Sequence, residues 1–124
     1  MRIIHTYVPT GLGSPLNRSH MYCMTLSLLL AKRFYKEVFL YTNKEVSKII
    51  KNIGLPYDYI DDELLDGVDV KTFSIPKLIV YSKQTEPYLH IDLDTFLFKR
   101  FDLFDLNTTY STFPEGSGDI FNFE

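Results

Sequence analysis

Two carboxylates stand two residues apart in the run "HIDLDTFLF", residues 90–98. Asp92 and Asp94 are framed by Ile91, Leu93, Phe96, Leu97 and Phe98, so the run reads as a buried strand. A carboxylate buried without a partner is costly enough that it neutralises or finds one. Along a strand, residues i and i+2 point to the same side, which would put His90, Asp92 and Asp94 on one face. Two carboxylates that close repel each other unless a cation sits between them. Oxygen donors of this kind favour magnesium or manganese, and such an ion keeps coordination positions open for a substrate phosphate. The expected chemistry is therefore a divalent ion bridging the protein to a diphosphate. The plainer alternative is that one aspartate caps a turn and the other is solvated.

The elements that would hold these groups can be read from periodicity and punctuation. Residues 2–8 form a β-rich run ending at Pro9, followed by the Gly/Pro loop "PTGLGSPL". A helix is expected over 17–35, capped by Asn17, with Met21, Met24, Leu28 and Ala31 at helical spacing. A short strand over 37–42 leads to a second helix, capped by Asn43 and running to 53. Val46, Ile49, Ile50 and Ile53 are expected to form its buried stripe, and Gly54 with Pro56 ends it. A weak third strand covers 57–60, then an acidic loop with a helical turn covers 61–69. Thr72 or Ser74 opens a third helix to 83, with Pro76 tolerated in its first turn. The fourth strand is expected over 87–98, and a last one over 110–114 before a loose aromatic tail. This alternation predicts an α/β fold of three layers, α/β/α, on a mostly parallel sheet. Ligands of such sheets bind outside the carboxyl ends of the strands, where Asp92 and Asp94 fall.

The bulk numbers are consistent with one domain of 124 residues carrying an aromatic core: 45% hydrophobic, with 9 Tyr, 10 Phe and no Trp. A net charge of −3 argues against a nucleic-acid partner. The single Cys23 excludes a disulfide framework and a Cys-rich zinc site, and fits a reducing compartment. No signal peptide is visible, and the apolar segment 21–31 is about half the ~20 residues of a membrane-spanning helix. Among other candidates, His5 and His20 read as structural, and Cys23 as packed. His90 either orients a carboxylate or bonds a neighbouring strand. Gly11-x-Gly13 lacks the third glycine of a dinucleotide fingerprint. Asp61-Asp62-Glu63 lacks the alternation of a calcium loop, and Lys99-Arg100 reads as an exposed pair.

The run "PYLHIDLDTFLFKRFDLF", preceded by "TFSIPKLIVYSKQ", resembles the D-x-D region of nucleotide-sugar glycosyltransferases of the GT-A fold, most closely bacterial families with a His-hydrophobic-Asp-x-Asp strand. In those families a helix with an aromatic residue and a basic residue four positions later precedes that strand; here these are Phe73 and Lys77. The resemblance implies a Rossmann-like nucleotide-binding half with Mn2+ or Mg2+ as cofactor. Asp94 would be the chief metal ligand, and Asp92 would contact the metal or the ribose. The loop after the first strand (Thr6, Tyr7, Val8, Pro9, Thr10) would hold the base and ribose. Thr42 and Asn43 would border the nucleotide, and Lys77 would reach the sugar or phosphate. The donor would be UDP- or GDP-linked, and the setting bacterial surface polysaccharide synthesis, in the cytoplasm, either free or associated with the membrane.

Enzymes of that fold carry a second half that supplies the acceptor site, whereas this sequence continues for 30 residues after Asp94. The expectation is a truncated domain over 1–124, with a homo-oligomer formed through apolar surface that a complete fold would cover. Two rival functions follow. One is a non-catalytic binding or interaction module on the same fold. The other is a phosphatase of the haloacid-dehalogenase type, in which the first aspartate is a nucleophile and the second an acid/base. That motif usually has Thr or Val two residues after the second aspartate, where this chain has Phe96.

Overall fold

Seven elements alternate among the described residues: β1 (Arg2–Thr6), α1 (Arg18–Lys32), β2 (Val38–Tyr41), α2 (Lys44–Ile53), β3 (Tyr59–Asp61), α3 (Ser74–Lys83) and β4 (Tyr88–His90). They are seen in a computed structural model that describes residues 1–9, 16–68 and 74–100. The loop 10–15 and the expected strand at 110–114 lie outside the described residues. All four strands are parallel, in the order β3-β2-β1-β4. The fold is α/β, as the alternation predicts.

Helix starts and stops follow local chemistry. The Asn17 side chain accepts from the His20 N–H at 2.8 Å, and Asn43 accepts from the Val46 N–H at 2.9 Å. The second helix ends where Gly54 takes φ 83°, donating its N–H to the Ile50 carbonyl. A side chain at Gly54 would meet nothing within 4 Å, so it is the left-handed backbone that calls for glycine there.

The two faces of the sheet are covered separately. Ile3, Val38, Leu28, Ala31 and Ile91 cluster on one face, continuous with Leu40, Met24, Val46 and Ile50. That face carries α1 and α2. Ile4, Tyr41, Leu65 and Val80 cluster on the other, under α3. The period of two along each strand sends Ile3 one way and Ile4 the other, which is what a sheet covered on both faces demands.

Asp58 joins three elements at the amino-terminal edge. Its carboxylate accepts from the Val38 N–H at 2.8 Å and from Lys32 Nζ at 2.9 and 3.0 Å. Partial burial pushes this carboxyl up, but the backbone donor and the lysine outweigh it and the net shift is down.

The main correction to the sequence reading concerns the fourth strand. It ends at His90 and does not run to 98. Strand β1 continues to Thr6, but its ladder with β4 has its last rung at the Ile91 N–H to Ile4 carbonyl bond (3.1 Å). The chain then turns, closed by the Thr95 N–H donating to the Asp92 carbonyl at 2.9 Å. Ile91 and Leu97 are buried because they pack under α1, while Phe98 is 80% exposed. Smaller differences fall at element ends: α1 stops at Lys32, β3 starts at Tyr59, and Ile53, expected in the buried stripe of α2, is 46% exposed at that helix's last turn.

Candidate functional site

Strand order reverses between β1 and β4: from β1 the chain steps outward to β2 and β3, then returns to the other side of β1. At such a reversal, the carboxyl ends of the two strands border the crevice in which α/β sheets bind ligands. The segments that leave those ends are residues 7–9 and 91–95. They are tied to the scaffold by side chains. His90 Nε2 and Thr6 Oγ1 share a hydrogen bond at 3.2 Å, bridging the last residues of β4 and β1. The Thr42 hydroxyl donates to the Tyr7 carbonyl at 2.6 Å, and the Tyr7 hydroxyl pairs with His20 Nδ1 at 3.0 Å.

Asp92 keeps the strand's alternation for one step beyond it. His90 packs edge-on against Tyr81 of α3, with ring centroids 5.1 Å apart, and Asp92 Oδ1 meets Lys77 Nζ of the same helix at 2.5 Å. The face shared by His90 and Asp92 is thus the α3 face. Asp94 leaves it, because the turn at 92–95 intervenes, so the three residues do not line one strand face. Asp94 is exposed and, among the described residues, makes no hydrogen bond or ion pair. Lys77 is on α3, and its partner here is Asp92.

The donor set can be tested against the divalent ion that two such aspartates suggest. Among the described residues, no three His, Cys, Asp or Glu side chains converge to cage a metal. What the site offers is two carboxylates, one of them half-committed to a lysine. That fits an ion of the magnesium or manganese type, which takes one or two carboxylates and completes its shell with water and phosphate oxygens. It does not fit a closed structural metal centre.

His90 is half-buried, and that burial lowers its pKa to about 4; the Asp92 carboxylate opposes the shift and Lys77 adds to it. The ring is therefore neutral at pH 7. Burial also raises the Tyr81 hydroxyl to about 12, with Tyr88 and Asp92 contributing.

The other expected site residues divide by location. Thr42 is fully buried, with its hydroxyl committed to Tyr7, and Asn43 is the cap of α2. Thr42 thereby holds the Tyr7 segment, while the bonds of Asn43 are to its own helix. Val8 packs against the α3-side cluster, and Pro9 is half-buried beside it in sequence. Thr10 and Phe73 lie outside the described residues. A depression at the opposite end of the strands is lined by Met1, Arg2, Glu37, Glu86 and Pro87. Arg2 is committed there to Glu86 at 2.8 Å and lies over the Phe39 ring.

One polar network was not anticipated as a unit. His5 and Ser27 are both fully buried. The Ser27 hydroxyl donates to the Thr95 carbonyl at 2.7 Å, which can only accept. Ser27 has no second proton, so His5 Nε2–H must donate to Ser27 Oγ at 3.0 Å. His5 Nδ1 then accepts from the Tyr57 hydroxyl at 2.6 Å. The protons run one way, from Tyr57 through His5 and Ser27 to Thr95. A Ser-His pair at this distance invites comparison with a hydrolase nucleophile, but the direction is reversed and no substrate reaches a fully buried Ser27. The available signal was a polar residue at a core position in each element: His5 amid "RIIHTYV" and Ser27 three residues after Met24.

No curated protein and no solved structure matches the chain. A family model does match, over residues 3–109, which takes in every described element and the aspartate turn. The chain belongs to that family, a family of unknown function (DUF6734).

Proposed function

We propose that this chain binds a nucleotide-diphosphate sugar through a divalent ion held by Asp92 and Asp94, as the donor-binding part of a glycosyltransferase. The observation that carries the reading is a convergence. Lys77 meets Asp92 just past the carboxyl end of β4, and Asp94 stands two residues on in the same turn, beside the loop that leaves β1, at the reversal of strand order. Two carboxylates and one lysine match a diphosphate with its cation: the carboxylates hold the ion and the lysine neutralises a phosphate oxygen. The ion, when bound, acts as a Lewis acid that stabilises the departing nucleotide diphosphate. The chain's own residues do the rest. Lys77 exchanges Asp92 for phosphate, Thr6 and Tyr7 border the nucleoside, and Thr42 fixes the height of that loop through the Tyr7 carbonyl. The D-x-D resemblance supports the same reading, and bacterial surface polysaccharide synthesis is the setting it implies.

The test is calorimetric titration of UDP and GDP with and without manganese. The expected result is binding of one of them that requires manganese and is lost, by roughly 100-fold or more, in Asp94→Ala. Nucleotide binding that ignores both manganese and Asp94 would overturn the proposal. A covalent phosphoaspartate trapped on Asp92 would replace it with the phosphatase reading.

A further inference from the structure

We infer that Ser27 and His5 are positioning residues for the turn that carries Asp92 and Asp94, a role that rests on reading that turn as the diphosphate site. The turn hangs beyond the last ladder bond of β4. At its near end the Ile91 N–H is held by the Ile4 carbonyl, and within it the Thr95 N–H bonds back to Asp92. Its far end is fastened to another element by the Ser27 hydroxyl on the Thr95 carbonyl. That hydroxyl cannot swing away freely, because His5 Nε2–H occupies Ser27 Oγ from the other side and His5 is itself held by Tyr57.

Packing alone gives no reason for this chain. Ser27 and His5 lie in the contact between α1 and the sheet, next to Leu28, Met24 and Ile3, where apolar residues together with Tyr57→Phe would leave only the Thr95 carbonyl without its donor. What the polar chain adds is direction. It sets the orientation of one carbonyl, and through a four-residue turn the angle between two carboxylates that must meet one ion. Groups one step removed from a metal typically act this way, and their loss costs affinity 10–100-fold.

The experiment is Ser27→Ala in the full chain, studied well below its melting temperature. Two quantities are read: amide hydrogen exchange at Thr95, and the affinity for manganese plus UDP or GDP. The expected result is faster exchange at Thr95 than at the amides of β1, with affinity weakened roughly 10–100-fold. Ser27→Thr, which restores a hydroxyl, should recover both. Tyr57→Phe removes only the far end of the chain and should lower stability more than affinity. A Ser27→Ala protein that melts earlier but keeps its Thr95 protection, and its affinity within twofold, would overturn the inference and leave Ser27 a merely structural residue. If the unaltered protein binds neither nucleotide, the functional reading fails, while exchange at Thr95 still decides whether Ser27 holds the turn. Where Ser27→Ala does not fold, Ser27→Cys keeps the volume, offers only a weak donor, and is judged by the same two readouts.

Discussion

Lys77 is the residue on which the candidate site turns, because it binds the group it would have to release. Its ammonium lies 2.5 Å from Asp92 Oδ1. Both side chains are partly exposed, so this pair contributes little to stability, on the order of 0–1 kcal/mol. Its effect on charge is larger, since it cancels half of the negative field that Asp92 and Asp94 would present to a cation. Lys77→Met should therefore bind manganese alone several-fold more tightly, yet bind the manganese–nucleotide diphosphate complex about tenfold more weakly. Paired titrations check this, with Lys83→Met on the same helix as the control for general charge. Equal changes in both variants would mean that Lys77 has no particular role. The spacing of Asp92, Asp94 and a lysine on the preceding helix was legible in the sequence. Their mutual geometry was not, because a turn between 92 and 95 depends on a carbonyl–amide bond that no side-chain pattern announces. Likewise His5 and Ser27 could each be seen as polar residues at core positions, but their contact spans 22 positions of chain.

At the scale of elements, what local chemistry decides was readable, and what neighbours decide was not. Asn17, Asn43 and Gly54 mark helix ends through bonds within a few residues, and each stands where the structure uses it. The length of β4 is different. β1 runs on to Thr6, two residues past its last pairing with β4 at Ile4, but the turn closed by the Thr95 N–H on the Asp92 carbonyl carries the chain out of the ladder. Ile91 and Leu97 looked like strand residues because they are apolar, but they are apolar for α1. The helix ends also make a quantitative prediction. Asn43→Ala removes the acceptor for the Val46 N–H and should cost about 1 kcal/mol. Gly54→Ala forces a side chain into the left-handed region and should cost roughly 1–2 kcal/mol. Urea midpoints at constant slope check both. Because Gly54 has open space around its α-carbon, Gly54→Asn should be milder than Gly54→Ala, an ordering that simple steric crowding would not produce.

For the whole molecule, the two faces of the sheet each bury a histidine, and that makes its stability depend on acid in a defined window. His5 lies under α1, fully buried; burial lowers its pKa to about 3, with His90 adding to the shift and Asp92 opposing it. His90 lies on the α3 face and is lowered to about 4, again by burial first. In the unfolded chain each titrates near 6.5. Between about pH 6.5 and pH 3–4 the unfolded state therefore binds more protons than the folded one, so stability falls as pH falls through that range. From pH 7 to pH 5 the loss is about 2 kcal/mol for His5, and less for His90, whose partial exposure lets solvent screen it. Carboxylates such as Asp58, held down by Lys32 and the Val38 N–H, enter only lower, as pH drops through the ordinary aspartate range and below. The two contributions thus separate on the pH axis. Thermal melts should show a marked drop between pH 7 and pH 5 in the unaltered protein. A His5→Gln, His90→Gln variant should start from a lower melting temperature at pH 7 but lose much less over the same interval. A native protein whose melting temperature is flat from pH 7 to pH 5 would mean that both rings accept a proton without leaving the fold. For His5 this would require the Tyr57 hydroxyl to reverse and accept from Nδ1, breaking the one-way order of protons that runs from Tyr57 to the aspartate turn.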